Sequence, residues 1–292
     1  MDQEKVEMIL ASPFFIEALA IAQLSQKPRK SLVGPLNDHF LKKIFTGGGS
    51  VTPALVRHCQ QAFPQAQFVG VYGSSEAEPI AHISGPEILD LEPQTAQGGG
   101  LPAGWPIGEI DLTILQIVKG PLSFDEQSHS CLELPSGEIG EIVVRGPHVN
   151  TTYLHDPEAI LQNKIPDGET LWHRTGDAGY LDVKGRLWIC GRVMSRWLGP
   201  MGYVYPACIE EALKAFRLAE EAVFLPRKKE SPLLLLRLNT DQRAKEKHSD
   251  DVKSLLEKLK TGEVVQKVVF HIFKDARHRT KIDRAKCLEK YG

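Results

Sequence analysis

The chain has 292 residues, of which 42% are apolar and 25% are charged, so the composition is that of an ordinary globular protein. It excludes a disordered chain, a collagen-like fibre and a disulfide-dense miniprotein. A net charge of −2 argues against a general nucleic-acid binder. The length allows one large domain or two ordinary ones.

The two parts of the chain carry opposite charge. Residues 226–292 contain 18 Lys/Arg and 10 Asp/Glu, which gives +8, and residues 1–225 carry −10. A basic unit after an acidic body predicts two units, with the basic one facing an anion.

Cysteine usage and hydropathy bear on the compartment. The five cysteines are scattered, odd in number and never spaced C-x-x-C, which favours a reduced, cytoplasmic chain. The N-terminus begins with charges, and the longest apolar run is the short Pro232–Leu236. We therefore predict neither a signal peptide nor a membrane span.

The first 85 residues predict an α/β unit. Residues 2–24 have helical spacing, with a second helix starting at Pro13 after Ser12. Residues 40–75 then predict a strand, a Gly-rich turn, a helix over Pro53–Phe63 and another strand at Phe68–Tyr72. This order is a βαβ unit.

The pattern changes twice after Gly85. Short β-rich runs separated by Gly and Pro over residues 107–189 predict an antiparallel sheet or barrel, and Gln94–Gly104 predicts a loop. From Gly191 onward an α+β unit is expected, with helices at 206–216 and 250–260 and strands at 221–225, 233–238 and 264–273.

The first candidate site is the run Phe45–Ser50 between a strand and a helix. Gly48 and Gly49 would let the backbone turn tightly or approach a ligand, and a helix N-terminus attracts anions. The run matches neither common nucleotide fingerprint, so a structural turn remains the alternative.

The second candidate follows the strand that ends at Tyr72. An aromatic ring, hydroxyls and a carboxylate come together at Tyr72, Gly73, Ser74, Ser75 and Glu76. The ring can stack on a base, a hydroxyl can bind phosphate and a carboxylate can hold Mg²⁺. The alternative is a polar turn with a helix cap at Ser74 or Ser75.

Three more candidates lie further along. The segment Trp172–Asp177 ends in a carboxylate, whose two acceptor oxygens could bind a ribose diol. The alternative is an Asp-Gly turn between strands. Gly191 and Arg192 mark the predicted domain boundary. The basic run Arg277–Arg284, which includes Lys281, is by itself typical of a solvated face.

Together these segments resemble the adenylate-forming superfamily of acyl-CoA synthetases, adenylation domains and luciferases, over nearly the whole chain. The matching motifs are Tyr72-Gly73-Ser74-Ser75-Glu76, Gly140-Glu141-Ile142 with Gly146 and Tyr153, Arg174-Thr175-Gly176-Asp177, Gly191-Arg192 with Pro206 and Glu210, and Thr280-Lys281-Ile282-Asp283-Arg284. Within the superfamily, the segments around Tyr72 and Lys281 most resemble olefin β-lactone synthetases, which act on long-chain β-hydroxy acids.

The resemblance implies a role for each matching residue. Tyr72 would stack on adenine, Asp177 would bind the ribose hydroxyls and Arg192 would support the same sugar. Ser75 would bind the α-phosphate and Glu76 would hold Mg²⁺. Gly48 and Gly49 would line the nucleotide and acyl pocket, and Lys281 would bridge the acyl carboxylate and the phosphate. The cofactors implied are ATP/AMP and Mg²⁺.

The resemblance also implies the fold. Residues 1–85 would end a Rossmann-like αβα subdomain, 86–190 would form a β-barrel-like subdomain, and 191–292 would be a mobile α+β domain hinged near Arg192. The chain is thus predicted to be the C-terminal portion of an ATP-dependent ligase that converts a carboxylic acid, fatty or β-hydroxy, into an acyl-AMP. An acyl-CoA synthetase and a non-catalytic nucleotide-binding remnant are the alternatives.

Departures from the superfamily pattern stand beside these matches. The Ser/Thr/Gly-rich phosphate loop ending in Lys that family members carry upstream is not found in this sequence, which predicts an N-terminal half as partner. Met194 and Met201 replace usual hinge residues, and Thr152 replaces the Gly before Tyr153. Pyrophosphate handling and domain rotation are the functions that these departures affect.

Overall fold

The computed structural model describes residues 6–25, 40–124, 131–227, 230–239, 248–275 and 281–292. Within the predicted basic run, residues 277–280 lie outside the described residues. No helix in the described ranges is both long enough and apolar enough to cross a membrane.

Ten of the described strands form one sheet that continues across the predicted boundary at residue 85. Its order is β1-β2-β3-β4-β5-β10-β9-β7-β6, with β8 beside β9. The strands are β1 (Met8–Ala11), β2 (Lys43–Gly47), β3 (Gln67–Ser74), β4 (Ala77–Ser84), β5 (Leu101–Pro106), β6 (Asp111–Leu115), β7 (Gly140–Arg145), β8 (Lys164–Asp167), β9 (Thr170–Leu181) and β10 (Leu187–Arg192).

The sheet is parallel at one end and antiparallel at the other. β1, β2 and β3 run parallel, and the remaining pairs are antiparallel. The antiparallel sheet predicted for residues 107–189 is confirmed. The described strands leave it open at β6, so it does not close into a barrel.

Helices cover the parallel half. They are α1 (Pro13–Ser25), α2 (Pro53–Ala62) and α3 (Gly85–Asp90), and they bury a core that includes Ile16, Ile44, Val56 and Ile88. The predicted βαβ unit is confirmed, with α2 ending one residue before Phe63.

Of the helix predicted over residues 2–24, residues 2–5 lie outside the described residues, and the prediction is wrong over Met8–Ala11. Met8–Ala11 is a strand whose burial alternates, because it is the edge strand paired in parallel with Lys43–Thr46. The helix start at Pro13 is confirmed, and the Ser12 carbonyl accepts hydrogen bonds from Phe15 and Ile16.

The loop predicted at Gln94–Gly104 is also wrong. A short helix at Glu92–Gln94 runs into a π-type turn at Thr95–Gly99, and β5 begins at Leu101. Gly98 and Gly100 take positive φ, which lets the chain bend between the short helix and β5.

The C-terminal part has its own sheet and cores. After β11 (Trp197–Gly199) and β12 (Gly202–Val204), the described elements are α5 (Pro206–Ala215), β13 (Glu221–Leu225), β14 (Leu233–Arg237), α6 (His248–Lys258), β15 (Val265–Val268) and α7 (Arg284–Tyr291). One further helix, α4 (Pro157–Asn163), lies outside the C-terminal part and directly before β8. Two clusters of buried apolar side chains include alternate residues of β13 and β14. The strand predicted at 264–273 is confirmed only over Val265–Val268.

Candidate functional site

A cavity of about 200 Å³ lies where the carboxyl ends of β2 and β3 meet β5, β9 and β10. Seven of the predicted site residues line it: Gly48, Gly49, Tyr72, Gly73, Asp177, Arg192 and Lys281. They come from segments more than 200 residues apart in sequence, so the fold brings together what the motifs only suggested.

The Gly-rich turn forms the cavity edge between β2 and α2. A Cβ on Gly47 would lie 2.4 Å from the Val71 carbonyl oxygen, so only glycine lets β2 approach β3 here. Gly48 has φ +72°. The Thr52 hydroxyl then caps α2 by accepting from the Leu55 N–H at 3.3 Å.

Tyr72 and Asp177 meet across the cavity. The Tyr72 hydroxyl donates to Asp177 Oδ2 at 2.8 Å, and Arg192 Nε lies 3.1 Å from Asp177 Oδ1. Burial raises the pKa of Asp177, an effect opposed by the Arg192 charge. Burial and the Asp177 charge raise the pKa of Tyr72 well above its usual value, which keeps the hydroxyl a donor.

The segment around Asp177 is part of strand β9 and not an Asp-Gly turn. β9 pairs with β10 so that Asp177 lies opposite Arg192, with Gly191 at φ +124°. The Arg192 Nη1 also donates to the Thr175 carbonyl at 3.1 Å. The Asp177 carboxylate is therefore held by Arg192 on the neighbouring strand and by Tyr72 on β3.

Arg174, in the same motif, has a structural role. Its guanidinium donates to Glu141 Oε2 from Nε at 2.9 Å and from Nη2 at 2.6 Å, and both side chains are buried. It also donates to the carbonyls of Val118 and Gly120. Glu141 belongs to the second matched motif, so this pair joins two motifs inside the sheet.

Lys281 reaches the cavity from the C-terminal part. Its carbonyl accepts from the Asp275 N–H at 2.8 Å, and Asp283 caps α7 through its Oδ1. The Lys281 charge acts on Asp177 by lowering its pKa, against the larger effect of burial. The basic part thus meets the acidic body at this cavity.

Ser74, Ser75 and Glu76 do not line the cavity. Ser74 ends β3, Ser75 and Glu76 form the turn to β4, and no helix begins there, so the helix-cap alternative is wrong. Ser74 Oγ accepts from the Glu76 N–H at 3.3 Å, and Ser75 is exposed.

Glu76 is held by the segment after β7. Its carbonyl accepts from the Asn150 N–H at 2.7 Å, and Tyr153 donates to Oε1 at 3.4 Å. Burial opposes ionisation of Glu76, but hydrogen bonds from its own backbone and Ser74 outweigh it, so its pKa lies below the usual value. An ionised carboxylate is a suitable ligand for Mg²⁺.

Two residues near Glu76 were missed as site candidates. Burial lowers the pKa of Lys164 to about 8 and that of His173 to about 4. His173 lies in the Trp172–Asp177 segment, directly before Arg174, and Lys164 carries no local sequence signal. The apolar lining residues Val51, Ile83, Leu101 and Ile189 were also missed.

With this geometry in place, a family model described as "AMP-binding enzyme" matches residues 1–154, more than half of the chain. The chain belongs to the AMP-binding enzyme family. The adenylate-forming resemblance of its motifs is confirmed.

Curated relatives agree with this family. The chain is 34% identical over 174 residues to an olefin beta-lactone synthetase of Stenotrophomonas maltophilia, covering 58% of this chain and 31% of that protein. It is 32% identical over 184 residues to an indoleacetate–CoA ligase of Aromatoleum aromaticum, covering 63% of this chain and 31% of the relative. The matches therefore span about a third of these two relatives.

Solved structures of AMP-binding enzymes share the fold. An O-succinylbenzoate coenzyme A synthetase of Bacillus subtilis in complex with AMP has a TM-score of 0.65 at 21% identity, covering 97% of this chain and 50% of that one. An amide bond synthetase of Marinactinospora thermotolerans has a TM-score of 0.71 at 21% identity, covering 100% and 54%. At these identities the likeness concerns the fold, which is that of an adenylate-forming enzyme.

Proposed function

We propose that the chain is the C-terminal portion of an ATP-dependent ligase that activates a carboxylic acid as its acyl-AMP. The observation that carries this proposal is the convergence of Tyr72, Asp177 and Lys281 on one cavity. A base-stacking ring, a carboxylate for a ribose diol and a cation for phosphate are the three recognition elements that an adenylate needs.

The proposed reaction is attack of the acid's carboxylate on the α-phosphorus of ATP, with pyrophosphate as the leaving group. It requires in-line positioning and neutralisation of developing charge more than covalent help. Asp177 would accept hydrogen bonds from the ribose, Arg192 would support the same sugar and Lys281 would stabilise the transferring phosphate.

Asp177 already has partners in this structure. One oxygen accepts from Tyr72 and the other lies beside Arg192. Each carboxylate oxygen accepts more than one hydrogen bond, so a ribose can share them. The two contacts preorganise the carboxylate for the sugar.

Glu76 would hold Mg²⁺, which when bound would neutralise charge on the phosphates. Its ionised carboxylate is partly exposed, and Mg²⁺ is commonly held by one or two carboxylates together with waters and substrate phosphates. In the part of the chain described, no group of three or more His, Cys, Asp or Glu side chains is arranged to hold a metal ion. We expect the nucleotide phosphates and water to supply the other oxygens. Ser75, on the same turn, would contribute a phosphate hydroxyl.

The acid's chain would lie against the apolar side of the cavity, where Val51, Ile83 and Leu101 stand. These apolar side chains favour a substrate with an apolar chain, either a fatty acid or a β-hydroxy acid. Long-chain acids are therefore the substrates to test first. Relatedness to an olefin beta-lactone synthetase supports a β-hydroxy acid. A CoA ligase activity is the second candidate, supported by the indoleacetate–CoA ligase relative.

The domain division is part of the same proposal. Residues 1–85 and 86–190 would act as one nucleotide-binding body, and 191–292 as a mobile domain hinged near Arg192. Most buried apolar clusters lie wholly before or wholly after the hinge, which supports this division, and one small cluster of Ala178, Cys190 and Tyr205 joins the two sides. An N-terminal half carrying a phosphate loop would complete the enzyme, and the reduced cysteine pattern supports a cytoplasmic location.

Calorimetric titration with AMP tests the nucleotide site. The chain should bind AMP weakly, and Asp177→Ala should weaken that binding by about tenfold or more, the loss expected for charge-assisted hydrogen bonds to ribose. Asp90→Ala, an exposed carboxylate at the end of α3, serves as control. No binding at millimolar AMP would mean that the half-site is not preformed and would support a non-nucleotide role. Unchanged binding by Asp177→Ala would remove the ribose assignment.

A further inference from the structure

Lys164 is a buried lysine whose position calls for a physical explanation. It is 3% exposed at the junction of α4 and β8, opposite His173 on β9. Within the described ranges no carboxylate oxygen lies within 4.0 Å of its ammonium. A buried cation without an ion-pair partner is costly, and an apolar side chain of the same length would be cheaper.

The ammonium is directed at the loop between β7 and α4. Lys164 Nζ donates to the Asn150 carbonyl and lies 5.2 Å from the centroid of the Tyr153 ring. A cation over an aromatic face is attractive, and more so where water is excluded. Lys164 thus fixes two points of one loop.

The same two residues hold Glu76. The Asn150 N–H donates to the Glu76 carbonyl at 2.7 Å, and the Tyr153 hydroxyl donates to its Oε1 at 3.4 Å. Backbone and carboxylate of Glu76 are therefore both tied to groups that Lys164 contacts. The Glu76 carboxylate is further stabilised by hydrogen bonds from its own backbone and from Ser74, and the residue stays partly exposed, so a metal can reach it.

The geometry points to Lys164 as a positioning residue that, through Asn150 and Tyr153, fixes the Glu76 carboxylate for binding the metal–nucleotide complex. This inference rests on the proposed function, in which Glu76 holds Mg²⁺. The Lys164 ammonium contacts the Asn150 carbonyl and the Tyr153 ring directly, and it acts on the Glu76 carboxylate through its charge. The hydrogen bond to the Asn150 carbonyl and the contact with the Tyr153 ring offset part of the cost of burying the cation.

Calorimetry with ATP, with and without Mg²⁺, tests this on the purified chain. The measured quantity is the factor by which Mg²⁺ tightens ATP binding. Lys164→Met should reduce that factor by roughly tenfold, the size typical of losing an outer partner of a metal ligand. Lys164→Arg should restore part of it, and Tyr153→Phe, which removes only the hydroxyl, should reduce it in the same direction.

Two controls separate this positioning role from a general packing role. Metal-free AMP binding, which uses Tyr72 and Asp177, should stay within about twofold in Lys164→Met, since Lys164 is not among the residues that line their cavity. The thermal midpoint should be unchanged or higher, because removing a buried charge is often neutral or stabilising. Lys184→Met, an exposed lysine elsewhere, should leave every quantity unchanged.

The outcomes are distinguishable. A normal Mg²⁺ factor in folded Lys164→Met overturns the inference while leaving the proposed function intact. If the wild type shows no Mg²⁺ effect, or Glu76→Gln retains it, the metal role of Glu76 fails and the inference fails with it. If Lys164→Met does not fold, a normal factor in Tyr153→Phe overturns the inference by itself.

Discussion

Arg284 and Glu210 form a two-point ion pair that joins α7 to α5. Arg284 Nη1 lies 2.7 Å from Glu210 Oε1 and Nη2 lies 2.9 Å from Oε2. Glu210 Oε1 also accepts from the Phe224 N–H at 2.8 Å, and the Phe224 carbonyl accepts from Arg284 at 2.9 Å. Two matched motifs, the hinge motif with Glu210 and the final motif with Arg284, thus meet inside the C-terminal part.

Replacing Arg284 should destabilise this part of the chain. Arg284→Met leaves the Glu210 carboxylate, 7% exposed, without its cation, and should lower the free energy of unfolding by roughly 2–3 kcal/mol, less than for a fully buried pair. Urea unfolding followed by circular dichroism measures the change. Lys290→Met, at the exposed end of the same helix, should change it by less than about 0.5 kcal/mol. Equal losses in the two variants would show that the pair contributes nothing specific.

His173 should make stability fall at acidic pH. Burial, together with the Lys164 charge, lowers its pKa to about 4, below the ordinary value of 6.5. Between these values the unfolded chain binds a proton that the folded chain does not, so stability falls as pH drops from about 7 towards 4. At pH 5 the expected loss relative to pH 7.5 is about 2 kcal/mol.

The measurement is urea unfolding at pH 7.5 and pH 5 for wild type and His173→Gln. The variant removes the titrating group, so its pH dependence should be shallower by about that amount. His82→Gln, an exposed histidine on β4, is the matched control and should keep the wild-type dependence. A His173→Gln profile parallel to wild type would contradict the lowered pKa of this imidazole.

These residues show how far sequence reasoning reaches. The βαβ unit was predictable because the spacing of its apolar residues and its glycine turn are local features of the sequence. Cavity residues such as Tyr72 and Asp177 were found through their motifs. Strand β1 was missed because four residues carry little periodicity and its pairing with β2 bridges more than 30 residues. Lys164 was missed because only the fold places it beside a loop that contacts Glu76, 88 residues earlier in the chain.

The chain alone should show little acid-dependent ATP–pyrophosphate exchange. Its cavity offers the glycine turn and Lys281 near the expected phosphates, but the sequence contains no Ser/Thr/Gly-rich phosphate loop to stabilise the leaving pyrophosphate. Exchange of labelled pyrophosphate into ATP, with long-chain fatty and β-hydroxy acids, checks this. Robust exchange by the purified chain would mean that another segment supplies those donors. Addition of a candidate N-terminal half should raise the rate if the two are parts of one enzyme.

Lys281 should matter far more than neighbouring lysines in a complete, active assembly. It lines the cavity with Tyr72 and Asp177, whereas Lys286 lies on α7 with its Nζ 5.1 Å from the centroid of the Phe273 ring. Charge alone does not distinguish the two, since both belong to the basic C-terminal part. The two lysines differ in their position relative to the expected phosphate.

Lys281→Ala should slow acyl-AMP formation by a few orders of magnitude, or roughly 3–4 kcal/mol, the scale of losing one charged donor at a developing anion. Lys286→Ala should cost much less, because a surface charge contributes about 1 kcal/mol or less. Single-turnover formation of acyl-AMP, measured for both variants side by side, gives the comparison. Because Lys281 approaches from beyond the proposed hinge, AMP binding by the chain should be affected less than the rate. Equal small effects of the two substitutions would remove Lys281 from the catalytic residues and leave the basic segment as a solvated face.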